Sequence, residues 1–138
     1  MSAPPIGLLL CDDLIFTSRI TGTAKQLGLT VQSAGDAATL LRLATTSPPA
    51  CVIVDLHNPG LDLPALMRDL SALGTPMPRV IGYGSHVDVD SLRAARQAGC
   101  DPVLPRSKFV DDLPTALPRW LGVDDGGADE GWTSGTVQ

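Results

Sequence analysis

Four short apolar runs, residues 6–11, 50–54, 79–83 and 102–105, alternate with segments of helical period, and this alternation constrains the fold more than any other feature. A weaker fifth run, residues 30–32, is short and polar, as suits the edge of a sheet. The helical segments are residues 18–29, 36–46, 63–73, 88–98 and 111–121. Thr17 or Ser18 is the expected cap of the first and Asp36 of the second, and Gly99 is the expected stop of the fourth. Pro118, four residues after Pro114, is expected to shorten or kink the last. Five strands alternating with five helices predict an α/β fold: a doubly wound parallel sheet covered by helices on both faces, in the flavodoxin-like order 2-1-3-4-5.

Composition narrows the class. With 43% hydrophobic and 18% charged residues, the chain is globular rather than disordered. No apolar run approaches the ~20 residues of a membrane span. Residues 6–10 lack the basic flank of a signal peptide. The net charge is −5, and the last 17 residues hold Asp124, Asp125, Asp129 and Glu130 without a base. Residues 1–121 are therefore nearly neutral, with 11 acids against 10 bases, and form the expected domain. Residues 122–138, with five glycines, read as an acidic, Gly-rich flexible tail in which Trp132 is a misfit. No basic stripe is present, so direct nucleic-acid binding is not expected. Cys11, Cys51 and Cys100 are odd in number, unpaired by spacing and set in apolar surroundings, as expected of buried thiols in a cytoplasmic protein.

Three acids fall at strand ends. Asp12 and Asp13 close the first strand and Asp55 the third, which would be neighbours in the expected order. Carboxylates converging at one crevice repel one another, so they bind a cation or raise a pKa. Oxygen-only ligands favour Mg²⁺. Taken singly, each such Asp also reads as a helix cap or turn. His57 and His86 beside these acids present a transition-metal alternative, but exposed loop histidines are the plainer reading. The fragment "GYGSH" lacks the third glycine and ribose-binding acid of a dinucleotide site, and Asp12-Asp13-Leu14 lacks the Asp-x-Asp of a small phosphatase.

On the segments "LLLCDD", "CVIVDLHNPGLD" and "AARQAGCDPVLPRSKF", residues 6–121 resemble the receiver domain of two-component response regulators. The resemblance implies that Asp55 is a phosphoacceptor, followed by the family's proline at Pro59. It also implies that Mg²⁺ is held by Asp12, Asp13, Asp55 and the backbone carbonyl of His57. The implied partner is a sensor histidine kinase or phosphotransfer protein, and a homodimer would use the fourth helix, fifth strand and fifth helix. Any enzymatic activity is limited to self-phosphorylation and dephosphorylation at Asp55. With only the polar residues 122–138 following, a stand-alone receiver is expected.

The match departs from the family at its read-out positions. The switch hydroxyl matches Gly84, with Ser85 able to replace it if the loop shifts by one. The Lys-Pro pair matches Arg106-Ser107, with the peptide between them expected trans and Lys108 as a competing cation. The switch aromatic matches Val103. The alternative is therefore a pseudo-receiver that acts through protein contacts without phosphorylation.

Overall fold

The computed structural model describes residues 4–123. Residues 124–138 of the expected tail, with Trp132, lie outside the described residues. Ten elements alternate: β1 Ile6–Leu10, α1 Leu14–Gln26, β2 Thr30–Ala34, α2 Ala37–Thr46, β3 Cys51–Asp55, α3 Leu63–Ser71, β4 Arg79–Gly84, α4 Val89–Ala98, β5 Val103–Pro105 and α5 Arg106–Trp120. The five strands are parallel in the order β2-β1-β3-β4-β5, as the alternation predicts. The polar β2 is an edge, and the wholly apolar run before Asp55 makes β3 the buried centre.

Because strand side chains alternate between faces, the sheet separates two cores. Leu8, Leu10, Val52, Val54 and Val80 meet Leu40 of α2, Leu66 and Leu70 of α3 and Leu92 of α4. On the other face, Leu9, Cys11, Cys51, Ile53, Ile81 and Tyr83 meet Ile20 and Ala24 of α1 and Phe109, Leu113, Leu117 and Trp120 of α5. Burying each of the larger side chains contributes roughly 1.5–3 kcal/mol, so the two faces together supply the main drive for folding.

Three boundaries differ from those expected. α1 begins at Leu14, not at residue 18, because the Asp13 carboxylate accepts from the backbone N–H groups of Ile15 (3.0 Å) and Phe16 (3.1 Å). Its first turn hides from a periodicity reading because Leu14 and Ile15 are 81% and 83% exposed. α5 starts at Arg106, directly after β5, and its polar first turn carries no apolar period. It also runs through Pro114 and Pro118 to Trp120, where a shorter or kinked helix was expected. Each proline forfeits one main-chain hydrogen bond. The burial of Leu113, Ala116, Leu117 and Trp120 on the sheet holds the helix together across them.

The remaining caps follow the expected chemistry. Asp36 accepts from Thr39 N at 2.8 Å, and Gly99 ends α4 with φ 109°. A side chain at Gly99 would be strained in that conformation, and its Cβ would also meet Met67 Cε at 3.3 Å.

Candidate functional site

The winding reverses between β1 and β3, and in parallel sheets the crevice beyond the carboxyl ends of such strands is where ligands bind. Asp55 is the last residue of β3 and stands at that crevice, 8% exposed. Its Oδ1 accepts from the backbone N–H of His57 at 2.9 Å, and its Oδ2 lies 3.7 Å from the Cys11 thiol. The carboxylate is thus held by the turn that follows it. Asn58, also buried, donates its side-chain N–H to Gly35 O at 3.0 Å and its main-chain N–H to Asp55 O at 3.0 Å. This ties the turn after β3 to the loop after β2.

Asp12 is exposed on the loop after β1, with its Oδ1 3.5 Å from where a Cβ on Gly35 would stand. Asp13 is the N-cap of α1, so one of its oxygens is already committed to two amides. Among the described residues no group of three or more His, Cys, Asp or Glu side chains forms a metal cage. The residues that the resemblance implies, Asp12, Asp13, Asp55 and the His57 carbonyl, offer only hard oxygens, and among the described residues their carboxylates are not gathered into one metal-holding group. That set suits Mg²⁺, which binds through one or two carboxylates and keeps several waters. The two-histidine transition-metal alternative gains no cluster among the described residues.

The other sequence-identified residues sit apart from the Asp55 carboxylate. Arg106 opens α5 with its guanidinium carbon 5.7 Å from the centre of the Phe16 ring, a cation–π contact. Ser85 donates its main-chain N–H to His57 Nε2 at 3.4 Å, and its hydroxyl oxygen accepts from Val87 N at 3.4 Å. Neither Arg106 nor Ser85 makes a hydrogen bond or ion pair with Asp55 among the described residues. Both line a groove of about 430 Å³ with Phe16, Arg19, His86 and Ser107. Lys108 pairs with Asp112 one turn along α5 at 3.2 Å. Val103 is buried on the opposite face, among the side chains of α3 and α4. His57 Nε2 also lies 3.5 Å from Asp88 Oδ2. Asp88 caps α4, and its hydrogen bonds from the Ser91 hydroxyl and amide lower its pKa.

The strand register sets Tyr83 opposite Asp55, one residue before the Gly84 that the resemblance matches to the switch hydroxyl. Asp55 pairs with Tyr83, not with Gly84. A Cβ added at Gly84 would meet His57 Nε2 at 3.4 Å and Leu56 Cβ at 3.5 Å, so side chains at position 84 head toward the His57 ring. Tyr83 shares its face with Cys11 and is fully buried. Burial, with the Cys11 thiol and Asp55 carboxylate beside it, pushes the Tyr83 phenol far above its ordinary pKa. Tyr83 is the single tyrosine of the chain and stands in an otherwise aliphatic strand, which was the available signal.

No family model matches the sequence. The C4-dicarboxylate transport transcriptional regulatory protein DctD of Rhizobium meliloti is 32% identical over 119 residues. That alignment covers 86% of this chain and 26% of DctD, so the chain spans about a quarter of the length of this relative. The signal receiver domain of an HD domain-containing protein from Pseudomonas fluorescens superposes with a TM-score of 0.74 at 23% identity, covering 88% of this chain and 90% of that one. The receiver domain of NtrX from Brucella abortus superposes with a TM-score of 0.71 at 20% identity, covering 85% of this chain and 98% of that one. The topology, the two-sided core and these likenesses agree: the chain has the CheY-like fold of response-regulator receiver domains, as its sequence resemblance implies.

Proposed function

We propose that the chain is a phosphorelay receiver whose phosphoacceptor is Asp55. The observation that carries this reading is the Asp55 carboxylate itself, fixed by the His57 amide at the end of the central strand, where the winding reverses. A carboxylate oxygen of Asp55 attacks the phosphorus of a phosphohistidine or acyl phosphate. The P–N or P–O bond of the donor breaks, and its electron pair leaves with the imidazole or carboxylate. An aspartyl phosphate results. Mg²⁺, held by Asp12, the free oxygen of Asp13, Asp55 and the His57 carbonyl, would supply the charge neutralisation that phosphoryl transfer requires. The turn from Asp55 to Asn58 keeps the nucleophile oriented through two main-chain hydrogen bonds. Arg106 and Arg19 line the groove beside α1 and α5 and add positive potential for an anionic donor.

The donor is a sensor histidine kinase or phosphotransfer protein. A homodimer would form through α4, β5 and α5, where the edge strand β5 lies between two helices. The setting is the cytoplasm. No described helix is long and apolar enough to cross a membrane.

The test is intact-mass spectrometry after incubation with acetyl phosphate and Mg²⁺. Wild type should gain one phosphoryl group and Asp55→Asn none. Equal labelling of the Asn variant, or no labelling of wild type, overturns the reading. A phosphorylation-independent interaction module is the second reading. The near-complete burial of Asp55 and the exposed Leu14 and Ile15 at the start of α1 favour that alternative.

A further inference from the structure

Among the described residues, two buried side-chain polar atoms have no nitrogen or oxygen hydrogen-bond partner: Asn58 Oδ1 and the Tyr83 hydroxyl, which has only the weak Cys11 thiol beside it. Both belong to residues that flank Asp55, one three positions along the acceptor turn and the other opposite it in the strand register. An unpaired buried polar group costs roughly 1–3 kcal/mol, so two of them on residues that neighbour Asp55 call for a physical explanation. The Tyr83 hydroxyl is a donor, and a donor buried next to a carboxylate suits an anion that arrives later.

The ring that carries this hydroxyl is also placed to transmit a movement. Tyr83 stacks on Phe109 of α5 at 4.6 Å between centroids and contacts Phe16 of α1 at 5.0 Å. Phe109 in turn stacks on Trp120 at 5.9 Å. The groove that Arg106 and Ser85 line has Phe16 as its apolar wall. A shift of the phenol therefore reaches the α1–α5 face through contacts already made. The α4 side has no such lever, since Val103 carries no ring and Gly84 no side chain.

We infer that Tyr83 is a positioning residue of the Asp55 site, and that its phenol O–H donates to the phosphoryl group on Asp55 and passes that state to the α1–α5 face through the Phe16–Tyr83–Phe109–Trp120 stack. One buried side chain thus combines a hydroxyl and a ring. This inference rests on the proposed role of Asp55. Its consequence is that the phosphorylated form differs from the free form at α1 and α5, where a partner would sense it.

The test uses beryllofluoride with Mg²⁺ as the phosphoryl mimic, on the full chain carrying Trp132→Phe so that Trp120 is the single tryptophan. Binding should change the Trp120 emission. In the same background Tyr83→Phe keeps the ring and removes a hydroxyl with no protein partner better than the Cys11 thiol, so its melting temperature should change little. It should bind the mimic about tenfold more weakly, as expected for losing a hydrogen bond to a charged group, and lose the emission change. Mimic affinity equal to that of the parent, or an emission change that persists in Tyr83→Phe, overturns the inference. So does an unchanged emission in the parent when Asp55 gains phosphoryl mass. Absence of both mimic binding and mass gain in wild type refutes the role of Asp55, and this inference falls with it.

Discussion

Asp13 holds two assignments that a pair of substitutions separates. Its Oδ1 accepts from Ile15 N at 3.0 Å and Phe16 N at 3.1 Å, so it satisfies two of the free amides at the start of α1. Under the proposed function its charge and second oxygen would also serve Mg²⁺. Asp13→Ala removes both roles, whereas Asp13→Asn keeps the cap, since Asn is as good an N-cap as Asp, and removes the charge. In metal-free buffer Asp13→Ala should cost about 1 kcal/mol, equivalent to a melting temperature about 3–5 °C lower in a domain of this size. Asp13→Asn should stay within a few tenths of a kcal/mol of wild type. Adding millimolar Mg²⁺ should raise the melting temperature of wild type, because a ligand that binds only the folded state stabilises it. Both variants should lose most of that rise. Thermal and urea unfolding followed by circular dichroism, with and without Mg²⁺, reads all four quantities. An Asn variant as unstable as the Ala variant without metal refutes the cap. An undiminished Mg²⁺ response in Asp13→Asn refutes the metal role.

Further outcomes follow from local geometry. Gly99→Ala should destabilise the chain by at least about 1 kcal/mol in urea titration, because Ala is strained in the left-handed conformation that Gly99 adopts and its Cβ crowds Met67. A neutral urea midpoint would show that α4 ends differently. Burial pushes the Cys51 thiol up to about 12 and the Cys100 thiol to about 11, so neither forms thiolate near pH 8. A disulfide reagent should leave both unmodified in the native chain and react with all three cysteines in urea; rapid native modification of Cys51 would contradict its burial. Hydrogen bonds from Thr39 and Ser91 hold the carboxyls of Asp36 and Asp88 below their ordinary value of 3.8. Their contribution to stability is therefore present above that value and lost as pH falls through the lower folded values. Urea midpoints between pH 5 and 2.5 should fall, less steeply in Asp88→Asn, and an equal slope would refute this source of acid sensitivity.

The strand order was legible because each apolar run is bounded by turn residues and only β2 is polar enough for an edge. The placement of Asp55 followed directly, since a carboxylate ending the most apolar run has nowhere to go but the strand end. The starts of α1 and α5 were not legible. In both helices the first turn is solvent-facing, with Leu14 and Ile15 in one and Arg106, Ser107 and Lys108 in the other, and periodicity carries information only where a face is buried. The residue opposite Asp55 was also out of reach. Position 84 and position 83 differ by one residue, and a shift of one reverses the face. Only the pairing of Asp55 with Tyr83 distinguishes them.

The central claim is that Asp55 carries the phosphoryl group, and borohydride trapping tests it at the residue itself. Reduction of an aspartyl phosphate cleaves the acyl–phosphate bond and converts the side chain to that of homoserine. After treatment with acetyl phosphate and Mg²⁺, then borohydride and proteolysis, mass spectrometry should find homoserine at position 55 and unmodified aspartate at Asp12 and Asp13. Conversion at Asp12 or Asp13, phosphate retained on His57, or an unmodified Asp55 after treatment with both acetyl phosphate and a phosphorylated phosphotransfer protein would contradict the account.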